Sequence, residues 1–134
     1  MSKPVVKSDE AWRESLDDLS FRVLREGGTE RPHSSELNAE WRDGLYLCKG
    51  CGTALFTAES KFNAGCGWPS FDRELEGAAI RRVLDRSHGM VRVELRCSGC
   101  DGHLGHVFPD GPTATGERYC INGTCLIFNP DSGD

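Results

Sequence analysis

At 134 residues, 28% of them charged and 37% hydrophobic, the chain has the composition of one folded domain and lies outside the range of disordered segments. Its 21 acidic and 16 basic residues leave a net charge of −5. With its arginines scattered rather than clustered, this excludes a nucleic-acid surface, which needs grouped Lys and Arg against phosphate.

Residues 1–7 are polar and expected to be mobile, as are 130–134, with one domain across 1–134. Ser8 opens a helical pattern, with Asp9 and Glu10 in the first turn and Trp12, Leu16 and Leu19 on one face. A second helix is predicted over Asp18–Glu26, with Asp17 as N-cap, Leu16 stapled against Phe21, and Gly27-Gly28 as the stop. Neither helix approaches the length needed to cross a bilayer, and the amino terminus lacks the apolar stretch and cleavage site of an export signal. The expectation is a cytoplasmic protein with no membrane contact.

From Gly44 onward, short apolar runs alternate with Gly, Pro, Asn and Asp, the pattern of an all-β region. Predicted strands are Leu45–Cys48, Ala54–Phe56, Ile80–Leu84, Met90–Cys97, Leu104–Phe108, Arg118–Asn122 and Cys125–Phe128, followed by a polar tail from Asn129. Along Met90–Cys97, Val91, Val93 and Leu95 alternate with Arg92, Glu94 and Arg96, which predicts one buried and one solvated face. The fold class expected is mainly β, two antiparallel sheets in a sandwich or small barrel, with short helices ahead of them.

Seven cysteines dominate the chemistry. Cys48-Lys49-Gly50-Cys51 and Cys97-Ser98-Gly99-Cys100 are two CxxC knuckles, and a glycine before each second cysteine lets the backbone turn both sulfurs toward one metal. The 45 intervening residues exceed the spacing of a compact finger, so the knuckles are expected on separate hairpins, sharing one zinc ion. Four thiolates close the coordination shell, which makes the zinc a scaffold rather than a catalyst. An odd cysteine count with CxxC spacing fits metal binding and thiol chemistry better than a disulfide framework.

Cys66, Cys120 and Cys125 remain. Cys120 lies between Arg118 and Asn122, which share its face on a strand: a guanidinium to favour the thiolate and an amide to hydrogen-bond it. It is the candidate nucleophile; otherwise it is a small buried hydrophobe. His103 and His106 would point to opposite faces of a regular strand, so both enter one site only if Gly105 introduces a bulge. Asp110 either orients an imidazole or belongs to an Asp-Gly turn. Trp68, between Gly67 and Pro69, is either an apolar wall for a small methyl or thioether group or a core tryptophan. Cys125, five residues beyond Cys120, would lie about 17 Å away on the other face at 3.4 Å per residue unless Gly123 breaks the strand. It is expected to be buried and inert.

Read together, Gly28–Pro32, Cys48–Cys51, Cys66–Phe71, Ser87–Arg92, Cys97–Cys100, His103–Gly111, Gly116 and Arg118–Asn122 resemble the methionine sulfoxide reductase B family, over roughly residues 12–130. The resemblance implies an enzyme that reduces the R epimer of methionine sulfoxide in peptides and proteins, the epimer-specific chemistry known for this class. It further implies a zinc remote from the active site, Cys120 as catalytic and Cys66 as resolving cysteine. Trp68, His103, His106, Asp110, Arg118 and Asn122 become substrate-binding and proton-transfer residues. A sulfenic acid on Cys120, a Cys66–Cys120 disulfide and recycling by thioredoxin or a similar dithiol follow from the same likeness. The chain is expected to act as a monomer. A zinc-stapled binding module with a Trp68-lined pocket is the competing reading, and it has no need of Cys120 with its polar flanks.

Overall fold

The computed structural model describes residues 8–75, 77, 80–86 and 89–130. Helix α1 spans Asp9–Ser15, where the Ser8 hydroxyl accepts from the Ala11 amide; α2 spans Asp18–Glu26, where the Asp17 carboxylate accepts from the Ser20 amide. Gly27 adopts the left-handed conformation (φ 72°) that ends α2, a backbone state glycine takes without steric cost. Leu16 and Phe21, the predicted staple pair, are both buried. The helices lie against the cysteine knuckles: Lys49 Nζ is 2.8 Å from Asp17 Oδ1, and Arg25 Nη1 donates to the Cys100 carbonyl at 2.7 Å.

Among the described residues nine strands follow: β1 (Gly44–Cys48), β2 (Ala54–Thr57), β3 (Lys61–Phe62), β4 (Ser70–Phe71), β5 (Ile80–Asp85), β6 (Arg92–Cys97), β7 (His103–Phe108), β8 (Arg118–Ile121) and β9 (Leu126–Pro130). They form two antiparallel sheets, β2-β1-β9 and β3-β4-β8-β7-β6-β5. The fold is mainly β, as the sequence pattern predicts. Buried aromatics join the sheets: the Phe56 and Phe71 rings stack at 4.2 Å, with Tyr46 edge-on to Phe71 at 5.1 Å. Rings of this size bury enough apolar surface to dominate the core, about 1.5–3 kcal/mol each.

Four predicted details are corrected. Strand β6 starts at Arg92, because Met90 and Val91 are exposed and make no ladder. Its polar face is not solvated: Glu94 is buried against His103, so that face belongs to a site rather than to water. Residues Gly123–Cys125 form a 3₁₀ turn, so Asn122 and Cys125 lie outside the strands assigned to them. Asn129 and Pro130 are not tail residues but the end of β9, paired with Leu45 and Gly44. Residues 1–7 and 131–134, expected to be mobile, lie outside the described residues, as do Ser87 and His88 of the matching segment.

Candidate active site

The centre of the six-stranded sheet brings the chemistry together. In β8, Cys120 stands opposite Ser70 of β4 on one side and His106 of β7 on the other. Strand β7 is in turn paired with β6, and the register slips so that Gly105 faces Leu95 while His103 faces Arg96, leaving Leu104 as the extra residue. This bulge meets the condition set by the sequence. Glu94 and Arg96 share one face of β6, and their partners His106 and His103 therefore share one face of β7. Their rings lie 5.6 Å apart. Gly105 is obligatory for a second reason: a Cβ there would stand 2.0 Å from the Cys120 carbonyl oxygen.

A cavity of about 120 Å³ opens beside Cys120, walled by Trp68 and Phe108, with Arg92, His106 and Asn122 as its polar groups. Its chemistry is that of a small, half-apolar ligand: aromatic faces for a methyl group, donors for an oxygen, and a sulfur nucleophile between them. His106 Nε2 is 2.8 Å from Asp85 Oδ2 at the end of β5, so Asp85 fixes the ring that faces the cavity. His103 is placed differently. It is buried behind His106, off the cavity wall, with Nδ1 2.6 Å from Glu94 Oε2. Burial outweighs the Glu94 carboxylate and holds the His103 imidazolium below its ordinary pKa.

Among the described residues Asp110 is paired with Arg118. Its carboxylate receives Arg118 Nε at 2.9 Å and Nη2 at 3.2 Å, a fork that lowers the Asp110 pKa and lays the guanidinium over Phe108, 4.5 Å from the ring centre. Arg118 acts on both cysteines of the site through its charge, yet it does not prevail at Cys120. Burial and the neighbouring Cys66 push the Cys120 thiol up to about 12. At Cys66, burial acts in the same upward direction but is outweighed by Ser70, the Trp68 backbone, Cys120 and Arg118, so its pKa is lowered. The two sulfurs are 3.9 Å apart. A disulfide of about 2.05 Å needs a closure of only about 2 Å. Gly65 (φ 70°) and Gly67 (φ 93°) flank Cys66 in left-handed conformations.

Asn122 and Trp68 are held by a residue the sequence reading missed. The Glu30 amide donates to Asn122 Oδ1 at 2.9 Å, and its carbonyl accepts from Trp68 Nε1 at 3.1 Å. The Glu30 carboxylate, 2% exposed, accepts from the Gly123 and Thr124 amides, both at 2.8 Å. Asn122 also donates from Nδ2 to the Leu104 carbonyl. Asp85, Glu94 and Arg92 were missed too, although two of them carried a signal: an alternating polar face on a strand suits a polar site as well as water. Cys125 lies apart from the site, buried, with its thiol donating to the His103 carbonyl at 3.2 Å.

The four knuckle cysteines converge elsewhere. The β1–β2 hairpin carries Cys48 and Cys51, and the β6–β7 hairpin carries Cys97 and Cys100, one from each sheet. All four sulfurs lie within 4.8 Å of one another, with Cys48–Cys100 at 3.6 Å and Cys51–Cys97 at 3.5 Å. These separations are too long for disulfides and close to the edge, about 3.8 Å, of a tetrahedron of sulfurs 2.3 Å from one ion. The donor set can therefore hold a metal ion, and none of the four sulfurs lines the cavity beside Cys120.

Comparison with known proteins places the chain in a family. The family described as the SelR domain matches residues 16–130. The peptide methionine sulfoxide reductase MsrB of Methylibium petroleiphilum is 54% identical over 128 residues, 96% of this chain and 93% of that protein. The protein of the same name from Pseudomonas putida strain F1 is 53% identical over 96% of this chain and 98% of its own length. That from Chromohalobacter salexigens is 53% identical over 97% and 98%. With the domain matched almost end to end and over half of the residues shared with these relatives, the chain belongs to the MsrB family of peptide methionine sulfoxide reductases.

Proposed function

We propose that the protein reduces the R epimer of methionine sulfoxide in peptides and proteins, through a sulfenic acid on Cys120 and a Cys66–Cys120 disulfide. The observation that carries this reading is the pair of sulfurs at 3.9 Å, one facing a cavity of about 120 Å³ with room for a methyl sulfoxide group. The methyl group packs against Trp68 and Phe108, and the sulfoxide oxygen points toward His106 and Asn122. The rest of the side chain leads out to solvent. Three chemically different walls around a pyramidal sulfur admit one handedness, and the likeness to MsrB proteins supports the R epimer.

Burial keeps Cys120 protonated at rest, so its attack on the sulfoxide sulfur is coupled to proton transfer to the oxygen. His106, anchored by Asp85, supplies or relays that proton, with His103 and Glu94 behind it. The S=O bond breaks as the oxygen passes to Cys120, giving a sulfenic acid and free methionine side chain. Cys66 then attacks the sulfenic sulfur, a disulfide forms, and water leaves. Thioredoxin or a similar dithiol reopens it by exchange. Arg118, clamped by Asp110, supplies positive charge to both thiolates as they form.

The four knuckle sulfurs hold zinc in this reading, a closed thiolate shell that joins the two sheets without touching substrate. The protein works as a monomer in the cytoplasm, where thiols are kept reduced. Incubation with each sulfoxide epimer and a dithiol tests the proposal. Consumption of the R epimer that vanishes in Cys120→Ser is expected; consumption of the S epimer alone, or turnover without Cys120, overturns it.

A further inference from the structure

The two thiols of the site face different spaces. Cys120 lines the small cavity with Trp68 and His106, whereas Cys66 lines a separate, open hollow of about 500 Å³ with Phe62, Pro112, Asp110 and Arg118. The two linings share no residue. Cys66 is half-buried, its sulfur 3.4 Å from Ser70 Oγ and 3.9 Å from the second thiol, with Arg118 on the wall of the same hollow. Cysteines that react with peroxide combine three features: surroundings that favour the thiolate, access for a small oxidant, and a resolving thiol within reach. Cys66 has all three. Cys120 lacks the first, since its burial favours the thiol, whereas the surroundings of Cys66 favour its ionised form.

We propose that the Cys66–Cys120 pair has a second activity, the two-electron reduction of hydrogen peroxide, in which Cys66 is the attacking sulfur and Cys120 the resolving one. The Cys66 thiolate attacks one peroxide oxygen and the O–O bond breaks. Cys66 becomes a sulfenic acid, and the departing hydroxide takes a proton from solvent to leave as water. Cys120 then attacks the Cys66 sulfur: the S–S bond forms, the S–O bond breaks, and the Cys120 proton leaves with that hydroxide as a second water. Peroxide gains two electrons and the two thiols lose two. The product is the same disulfide that sulfoxide turnover leaves, so the same dithiol restores it. A dithiol that closes this way is shielded from further oxidation to sulfinic acid, under the conditions that oxidise methionine.

This activity uses the residues of the sulfoxide reading in reversed order, and its test contains no sulfoxide, so the two can fail separately. Reduced, metal-loaded protein is mixed with hydrogen peroxide at pH 7, and the products are mapped by mass spectrometry. Wild type is expected to form the Cys66–Cys120 disulfide at least about tenfold faster than glutathione is oxidised. Cys120→Ser should accumulate a dimedone-trapped sulfenic acid on Cys66, and Cys66→Ser should slow peroxide consumption about tenfold. Circular dichroism and metal content check that both variants are folded. Equal rates for wild type and Cys66→Ser, a trapped sulfenic acid on Cys120 alone, or prior oxidation of the knuckle cysteines would overturn the proposal.

Discussion

Cys125 and Cys66 are both thiols outside the four-cysteine cluster, and their surroundings separate them. Cys125 is sealed in the core with its thiol on the His103 carbonyl, while Cys66 sits on a glycine-flanked loop within reach of Cys120. A serine hydroxyl at 125 can donate the same hydrogen bond, so Cys125→Ser should keep dithiol-dependent turnover within about twofold, at some cost in stability from burying a hydroxyl. Cys66→Ser should lose that turnover, measured as thioredoxin-coupled sulfoxide consumption. His103 gives a pH signature. Its folded pKa is depressed, since burial overcomes Glu94, with His106 and Arg96 also opposing the charge. Its contribution to stability is therefore present above the unfolded value of about 6.5 and is lost as pH falls through the folded value. The melting temperature should decline as pH drops below about 6.5, and His103→Gln should flatten that first part of the acid limb.

At the level of elements, Gly105 decides the geometry of the site. The bulge that turns both imidazoles to one face also brings β7 against the β8 backbone, where a methyl group would collide with the Cys120 carbonyl. Gly105→Ala should destabilise the fold by about 3 kcal/mol, read from the denaturant midpoint, and should lower sulfoxide reduction further than the loss of folded protein accounts for. This need for a bulge was visible in the sequence, because two histidines three apart cannot share a regular strand face. Both helix starts were legible through their caps, Ser8 and Asp17, whereas α1 ends at Ser15, short of the Leu16 and Leu19 read on its face. Strands β3 and β4 were not, since two residues each carry no periodicity. Yet β4 is the neighbour that sets Ser70 beside Cys120 and brings in the Cys66 loop. The polar face of β6 was misread for a related reason: hydropathy records that Glu94 is polar but not whether water or His103 is its partner. Asp110 shows the converse, since its Asp-Gly context gave no hint of the arginine eight residues on that holds its carboxylate.

The molecule as a whole is two sheets whose covalent connections alone do not fix their relation. The cysteine cluster supplies a non-covalent tie, one hairpin from each sheet, with α2 held over it through its N-cap Asp17 on Lys49 and through Arg25 on the Cys100 carbonyl. For a chain of this length, binding energy at such a site is folding energy. Removing the metal with a chelator should lower the melting temperature sharply and broaden the transition, followed by scanning calorimetry with metal content measured in parallel. An unchanged transition would refute a structural metal. The order of the two sheets was hidden in the sequence, because pairings such as β1 with β9 join residues about 80 apart.

The Glu30 brace has a consequence in time rather than in space. Its carboxylate, amide and carbonyl join a segment near the amino terminus to Trp68, Asn122 and the turn at Gly123–Thr124, across more than ninety positions of chain. During synthesis that segment emerges before its partners and waits, its carboxylate in water, until Gly123 and Thr124 have left the ribosome. Contacts of such sequence separation close late in folding. The substrate cavity is thus among the last parts to assemble, and a chain interrupted short of Gly123 carries its cysteines without the pocket that directs them.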